Sequence, residues 1–463
     1  MTRRALAALC LAMPLAAATA GVRIAAYLNT SPVARASFWG VRIVDLADNR
    51  VIFERNANRL FLPASNAKLF TTALALTRLG PDYRFETRVL ADRAPDAAGC
   101  VDSLRLIGGG DPSLTIEDLA AQVAAHGVRC VHAGVIGDDT AYVWEPYPSG
   151  WSVDDPVWDY GSAVSALCFH DNTITLTLPP DPTRIAIDPP VDYYEIENHV
   201  RAGGTENNVH VDRLPGSRHV TLWGQVAPNG TGDVEVVGVD DPALFAARAF
   251  RDALVRHGVA VEGGTSAAHL YPHAAHADPA NDGVEVAKRE SAPLLEDLRL
   301  TDKISQNLHA EMALLAVARA RRQIGSREAG LAEMADFLDE AGIARDAYNF
   351  VDGSGLSRLD LVSPAAIIKL LTYMYRSPQR DAWLSLLPIA GQDGTLHARL
   401  TGAATAGRIF AKTGSMSHVA ALSGYAKRRN GHMLAFSILV NNANVPPEDL
   451  RAAIDRLCRL MIE

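Results

Sequence analysis

The sequence predicts an α+β protein whose antiparallel sheet, backed by helices, is built from both ends of the chain and interrupted by a large, mainly β or α+β insertion. Three observations predict this. Strand-like runs with hairpin signals stand near both termini, and amphipathic helical segments follow the first set and precede the last. Between them, from Val89 to about Lys288, the composition turns rich in Val, Gly, Pro and Asp, with only short strand-like runs. At 463 residues the chain has room for two or three domains. Its 48% hydrophobic content excludes a disordered chain, and a mean hydropathy of +0.02 excludes a polytopic membrane protein. The 44 basic and 53 acidic residues give a net charge of −9, so there is no basic excess to displace phosphate counterions. A nucleic-acid partner is not expected.

The first residues carry Arg3 and Arg4, an apolar run over 5–15 too short to span a bilayer, and the small residues Ala18-Thr19-Ala20. This predicts a cleaved secretory signal over residues 1–20, with at most peripheral membrane contact afterwards. Leu9 is too large to precede a lipidated cysteine at Cys10. Export leaves Cys100, Cys130, Cys168 and Cys458 in an oxidising compartment, where disulfides are permitted but not required. Cys100 and Cys130 each precede an apolar run (101–107 and 131–136), so their sulfurs meet if those strands are neighbours.

Runs over 39–46 and 50–55, around the turn signal Asp48-Asn49, predict a hairpin. A helix is predicted to open at Ser65, with Leu69, Phe70, Ala73, Leu74 and Thr77 at helical spacing, and to stop at Gly80-Pro81. The middle region holds strand-like runs at 101–107, 173–178 and 219–226. Helical periodicity returns at 294–300, 304–320 and 364–375. Strands are then predicted at 409–412, 419–428 and 432–441, the last two joined at Asn430-Gly431, and a helix over 448–461 closes the chain. The expected division is 21–88 and 289–463 as two parts of one domain, with 89–288 inserted as two domains, one nested in the other.

Three short motifs stand in order: Ser65-Asn66-Ala67-Lys68, Ser305-Gln306-Asn307 and Lys412-Thr413-Gly414. A serine hydroxyl is a weak nucleophile and needs a base within hydrogen-bond reach; three residues on, one helical turn, Lys68 shares its face. A lysine of ordinary pKa is protonated and useless as a base, so burial and a nearby positive charge, for which Lys412 is the candidate, must lower it. Ser305 would pass a proton to the leaving amine, and Asn307 would hold a substrate amide. Lys412 and Thr413 would bind a carboxylate, and Gly414 would let substrate approach the strand closely. The N–H groups of Ser65 and Ser415 would form an oxyanion hole. Each motif alone is weak, and Ser65 alone reads as a helix N-cap. Their conjunction, each on the right type of element, carries the argument.

With these motifs the chain resembles the class C low-molecular-mass penicillin-binding proteins, which are D-alanyl-D-alanine carboxypeptidases and endopeptidases. The resemblance runs from about Ser37 to the C-terminus. It includes Phe61–Ser65 (FLPAS), Leu79-Gly80-Pro81, Gly108–Leu114 (GGGDPSL), Asp352–Arg358 (DGSGLSR) and Gly391–Leu396 (GQDGTL). It implies a serine β-lactamase/transpeptidase-like domain split by insertions, which suits the 240 positions between Ser65 and Ser305. It further implies a periplasmic enzyme, acylated at Ser65 by peptidoglycan stem peptides and by β-lactams, needing no metal or organic cofactor. Asp155, after Gly150-Trp151, matches an acidic residue that contacts the amino group of the stem peptide's diamino acid, and Arg358 would lie beside that pocket. Asp154 is an equally acidic neighbour.

Other signals lead elsewhere. His269, His273, His276 and Asp278 have metal-like spacing in what reads as a linker. Gly108–Gly110 match no phosphate-binding pattern and read as a turn before a helix capped by Thr115 with Asp118. Ser354 reads as part of a loop lining the site. The rivals are a β-lactamase, disfavoured because no E-x-x-L-N pattern lies between Asn307 and Lys412, and a non-catalytic peptidoglycan-binding scaffold, which has no need of intact Ser65, Lys68, Ser305, Asn307 and Lys412.

Overall fold

A computed structural model describes residues 19–272 and 283–462. The predicted signal over 1–20 lies almost entirely outside the described residues, as do His273, His276 and Asp278. A five-stranded antiparallel sheet runs in the order Ile409–Met416, Val419–Lys427, Met433–Asn441, Phe38–Asp45, Arg50–Arg55. The two ends of the chain meet where Phe38 pairs with Asn441 and Asp45 with Leu434. One face packs Leu69, Phe70, Leu314, Ile367 and Leu371 against Val44, Tyr425 and Leu439. The other packs Ile24, Leu28, Ile454 and Leu457 against Val41, Leu422, Phe436 and Ile438. With helices on both faces, eight of the nine residues of Met433–Asn441 are buried, which is why the strand reads as a continuous apolar run rather than an alternation. The predicted turn at Asn430-Gly431 is part of a longer connection, since pairing stops at Lys427 and Met433.

Between the halves stands a second sheet, in the order Ala260–Val261, Cys130–Val143, Cys100–Ile107, Glu86–Ala91, Val284–Glu290, with Gly264–Leu270 also on Cys130–Val143. Glu86 pairs with Glu290, so the chain enters and leaves this sheet on adjacent strands that straddle positions 88/89 and 288/289. Residues 173–238 contribute two further three-stranded sheets, and helices Glu117–Ala125 and Pro242–Arg256 pack alongside. Cys100 lies opposite Cys130 in a parallel pair, and the two form a disulfide; Cys168 and Cys458 are free and buried. Closing 30 positions, the bond contributes about 3 to 4 kcal/mol in the chain-entropy account.

Two local expectations are corrected. Ser65 lies in a 3-10 turn, Ala64–Ala67, and the α-helix begins only at Lys68. Ser65 therefore caps nothing, and its hydroxyl instead accepts from Lys68 Nζ at 3.0 Å. Helix Glu117–Ala125 is preceded by Ile116 without a side-chain cap; Thr115 Oγ1 reaches only the Asp118 carboxylate, at 3.4 Å.

Candidate active site

The 3-10 turn holding Ser65 is wedged between the edge strand Ile409–Met416 and the loop 352–358. A Cβ on Gly414 would stand 2.8 Å from Pro63 O and 3.2 Å from Ala64 Cβ. The glycine thus allows the close approach of the strand to the turn that holds Ser65, and it also lines a cavity beside that turn. Gly355, at φ 79°, has the same role from the other side, where a Cβ would stand 2.1 Å from Ala64 O. Asn66 ties the turn to the strand by donating Nδ2 to Lys412 O at 3.0 Å.

Lys68 is fully buried, and its Nζ lies 3.0 Å from Ser65 Oγ, 2.5 Å from Asn307 Oδ1 and 2.7 Å from Ser354 O. Burial first, and then the charge of Lys412, lower its pKa to about 7, against the opposing pull of Asp352, Asp302 and Glu311. In the neutral form its two N–H groups satisfy Asn307 Oδ1 and Ser354 O, and the lone pair is left for the Ser65 proton. Lys412, also fully buried, donates Nζ to Ser305 Oγ at 2.8 Å and to Thr413 O at 3.2 Å. Burial lowers its pKa to about 8, with Asp302 opposing. Ser305 sits in the left-handed region at φ 69°, between helices Leu294–Lys303 and Asn307–Arg322. The single helix expected over 304–320 therefore begins three residues later, because Ser305 breaks it.

The loop containing Ser354 is held from within. Asp352 accepts from Gly355 N at 2.7 Å, Ser357 N at 2.8 Å and Trp151 Nε1 at 2.9 Å. Glu311 accepts from Gly353 N and Ser354 N, both at 2.8 Å. This aims Ser354 O at Lys68. Burial pushes Glu311 up to about 7 and Asp302 up to about 6; Asp302 accepts from Thr72 Oγ1 at 3.0 Å.

A cavity of about 300 Å³ is lined by Ser65, Asp155, Tyr160, Asn307, Arg358 and Ser415, among others. Asp155 is buried, accepts from Ser152 N at 2.7 Å, and has its pKa raised by burial, with the Asp154 charge adding and Arg358 opposing. Asp154 is exposed and does not line the cavity. Thr413 Oγ1 donates to Thr395 Oγ1 at 2.8 Å, so the Gly391–Leu396 segment stands beside the third motif. A larger cavity, about 650 Å³, continues past Thr413 and Ser415 toward Arg399, Val445 and Leu450.

All three motifs thus converge. Sequence reasoning missed Asp302, Glu311, Tyr160 and Thr395; Asp302 stands three residues before Ser305, but nothing in that spacing reveals its burial beside two lysines. Of the four residues with metal-like spacing, His269 alone lies among the described residues, where carboxylates of Asp139 and Asp241 flank its ring. Its Nδ1 bonds Asp139 at 2.9 Å and its ring stacks on Trp144 at 4.0 Å; Asp139 and Asp241 outweigh the effect of burial to raise its pKa to about 9.

Fold and site together define a serine acyl-transfer enzyme with a lysine beside its nucleophile. The chain belongs to the D-Ala-D-Ala carboxypeptidase 3 (S13) family, whose model matches residues 21–461. It is 35% identical over 441 residues to a D-alanyl-D-alanine carboxypeptidase of Actinomadura sp. (strain R39), covering 90% of this chain and 80% of that one. It is 30% identical over 442 residues to carboxypeptidase DacB of Mycolicibacterium smegmatis, covering 91% and 79%. The crystal structure of penicillin binding protein 4 (dacB) from Haemophilus influenzae superposes with a TM-score of 0.82 at 24% identity, covering 94% of this chain and 97% of that one. That likeness concerns the fold.

Proposed function

We propose that this chain is a serine-type D-Ala-D-Ala carboxypeptidase acting on peptidoglycan stem peptides, and that β-lactams acylate the same serine. The observation that carries the reading is Lys68, desolvated to a pKa of about 7 with its Nζ 3.0 Å from Ser65 Oγ. Lys68 takes the Ser65 proton as Oγ bonds to the carbonyl carbon of the penultimate D-Ala. The N–H groups of Ser65 and Ser415 receive the oxyanion. The C–N bond breaks as Ser305, bonded to Lys412, protonates the leaving amine, and D-alanine departs. The proton held by Lys68 is passed on to Ser305, so that water attacking the ester gives its proton to neutral Lys68, which returns it to Ser65 Oγ as the ester C–O bond breaks. A β-lactam follows the same first step, but its amine stays tethered to the acyl group.

Asp155 and Arg358 would receive the amino-bearing end of the stem peptide's diamino acid, and Thr413 the terminal carboxylate. The cavity of about 650 Å³ beyond Thr413 exceeds what a single alanine needs, which favours cross-linked stems as additional substrates. The reading includes a catalytic domain in two parts, 21–88 and 289–463, interrupted by 89–288. The sheet shared by both chain ends supports it. It also includes export to the periplasm through the predicted signal. The Cys100–Cys130 disulfide suits that compartment, and no helix among the described residues is long and apolar enough to cross a membrane.

Incubation with a D-Ala-D-Ala pentapeptide and with labelled penicillin tests the reading. Released D-alanine and covalent label at Ser65, abolished by Ser65→Ala, are expected. Label retained by Ser65→Ala would falsify the nucleophile, binding without turnover would favour the scaffold, and fast penicillin hydrolysis the β-lactamase.

A further inference from the structure

One turn of the inserted region reaches the second motif and the helix that follows it. His170, Asp171 and Asn172 are consecutive left-handed residues (φ 52°, 51° and 53°), a conformation that non-glycine residues rarely hold. Buried Asn172 fixes them: Oδ1 accepts from Phe169 N at 3.2 Å and Nδ2 donates to Ala163 O at 2.8 Å. The turn presents Asp171 to the start of helix Asn307–Arg322. Asp171 Oδ1 accepts from His309 Nε2 at 3.0 Å, and Oδ2 accepts from Gln306 Nε2 at 3.4 Å. On the opposite side His309 Nδ1 donates to Asp297 Oδ1, on helix Leu294–Lys303, at 2.6 Å. With carboxylates at both nitrogens, both must donate, so the ring is an imidazolium. The segment is also held at Asn307, whose Nδ2 donates to Tyr160 O at 2.8 Å. Thus Gln306, Asn307 and His309 each bond to the inserted region, and none of these bonds is to a residue of the three motifs.

We propose that His309 is a positioning residue, whose doubly bonded ring clamps helix Asn307–Arg322 between helix Leu294–Lys303 and the inserted region and so sets where Ser305 and Asn307 stand against Lys412 and Lys68. The inference rests on reading Ser305 and Asn307 as the second catalytic motif. Strained Ser305 has no helix of its own to hold it, and a displacement near 1 Å at such a site can cost on the order of a hundredfold in rate. The groups around the clamp are Asp171 and Asp297, buried Asp111, His170 beside Asp171, Arg289 toward Asp111, and the buried thiol of Cys168. Burial alone would discharge the ring, but Asp297 and Asp171 outweigh it and hold His309 protonated up to about pH 9.

The test uses the full chain and the second-order rate constant for acylation by labelled penicillin, expressed per titrated active site at pH 7.5. His309→Gln and Asp171→Asn are each expected to slow acylation on the order of tenfold, with the double variant no slower than the worse single one. His309→Lys, which keeps a cation between the carboxylates, is expected to recover part of the rate. A role confined to folding would lower Tm and the active fraction and leave the rate per active site intact. That result, or additive losses, overturns the proposal. If His309→Gln does not fold, Asp171→Asn and Gln306→Ala decide it, since neither side chain is buried. A parent that is not acylated at all overturns the reading of Ser65 instead, and with it the basis of this inference.

Discussion

Two buried basic side chains in this molecule, each about one helical turn of chain after a motif serine (Lys68 after Ser65, His309 after Ser305), are driven in opposite directions. Lys68 is fully buried and falls to a pKa of about 7; His309 is almost as buried and rises to about 9. Burial lowers both, because a charge is poorly solvated in a low dielectric. The neighbours decide the difference. Lys68 faces a second buried cation, Lys412, and its own amine touches only neutral acceptors, whereas His309 is bonded directly to two carboxylates. A discharged lysine can accept a proton, and a retained imidazolium can hold two elements together. The same physics thus favours the proposed base in one place and the proposed clamp in the other.

The comparison breaks most sharply at Lys68. Lys68→Met removes the proposed base while keeping about its volume, and is expected to slow acylation by labelled penicillin on the order of a thousandfold. A loss smaller than tenfold would mean that another group takes the Ser65 proton.

The opposed pKa directions also predict opposed pH windows for stability. His309 is raised in the fold, so its contribution is complete below about pH 6.5 and is lost as pH rises toward about 9. Lys68 is depressed, so the unfolded chain binds more protons between about pH 7 and about 10.4, and its contribution improves with pH over that window. Urea unfolding of the parent and of His309→Gln separates the two. The destabilisation caused by the substitution is expected to shrink by roughly 3 kcal/mol between pH 6 and pH 9.5, the order set by a shift of this size. A destabilisation independent of pH would show that the ring is not charged in the fold.

A finer test removes a carboxylate from the lysine side. Asp302 opposes the discharge of both lysines. Asp302→Asn is expected to move the acid limb of the acylation rate to lower pH, so that the variant acylates about threefold faster than the parent at pH 6. An unmoved limb would place its midpoint on some other group. The smallest effect belongs at the rim of the cavity: Asp155→Asn is expected to raise KM for a diamino-acid stem peptide several-fold, with the rate of acylation by a simple penicillin little changed.

Much of this arrangement was legible in the chain. The hairpins at both ends, the helix over 364–376 and the three motifs all read from local periodicity and spacing, because the reasons for them lie within a few residues. Elsewhere local reading fell short. The helix expected at Ser65 starts at Lys68, because a left-handed Ala64 (φ 47°) and the packing of Gly355 against it force a 3-10 turn. The cap assigned to Thr115 did not form. Asp302, Tyr160 and His309 carry no signature at all, since an aspartate in a helical stretch or a histidine on a helix is ordinary until its neighbours are known.

The sequence by itself determined the chemistry available: a serine one turn from a lysine, a second serine with an asparagine, and a second lysine two residues before a glycine, in that order and with a long interval between the first two. These are properties of covalent spacing. Only the tertiary structure decided how that chemistry is set. Lys68 has its pKa lowered to about 7 first because the fold buries it, and then because Lys412, 344 positions away, brings its charge close. Cys100 meets Cys130 because their strands pair in that register. Asp171 grips His309 across 138 positions. Desolvation and Coulomb energy depend on distances through space, and a chain acquires those distances only when it folds.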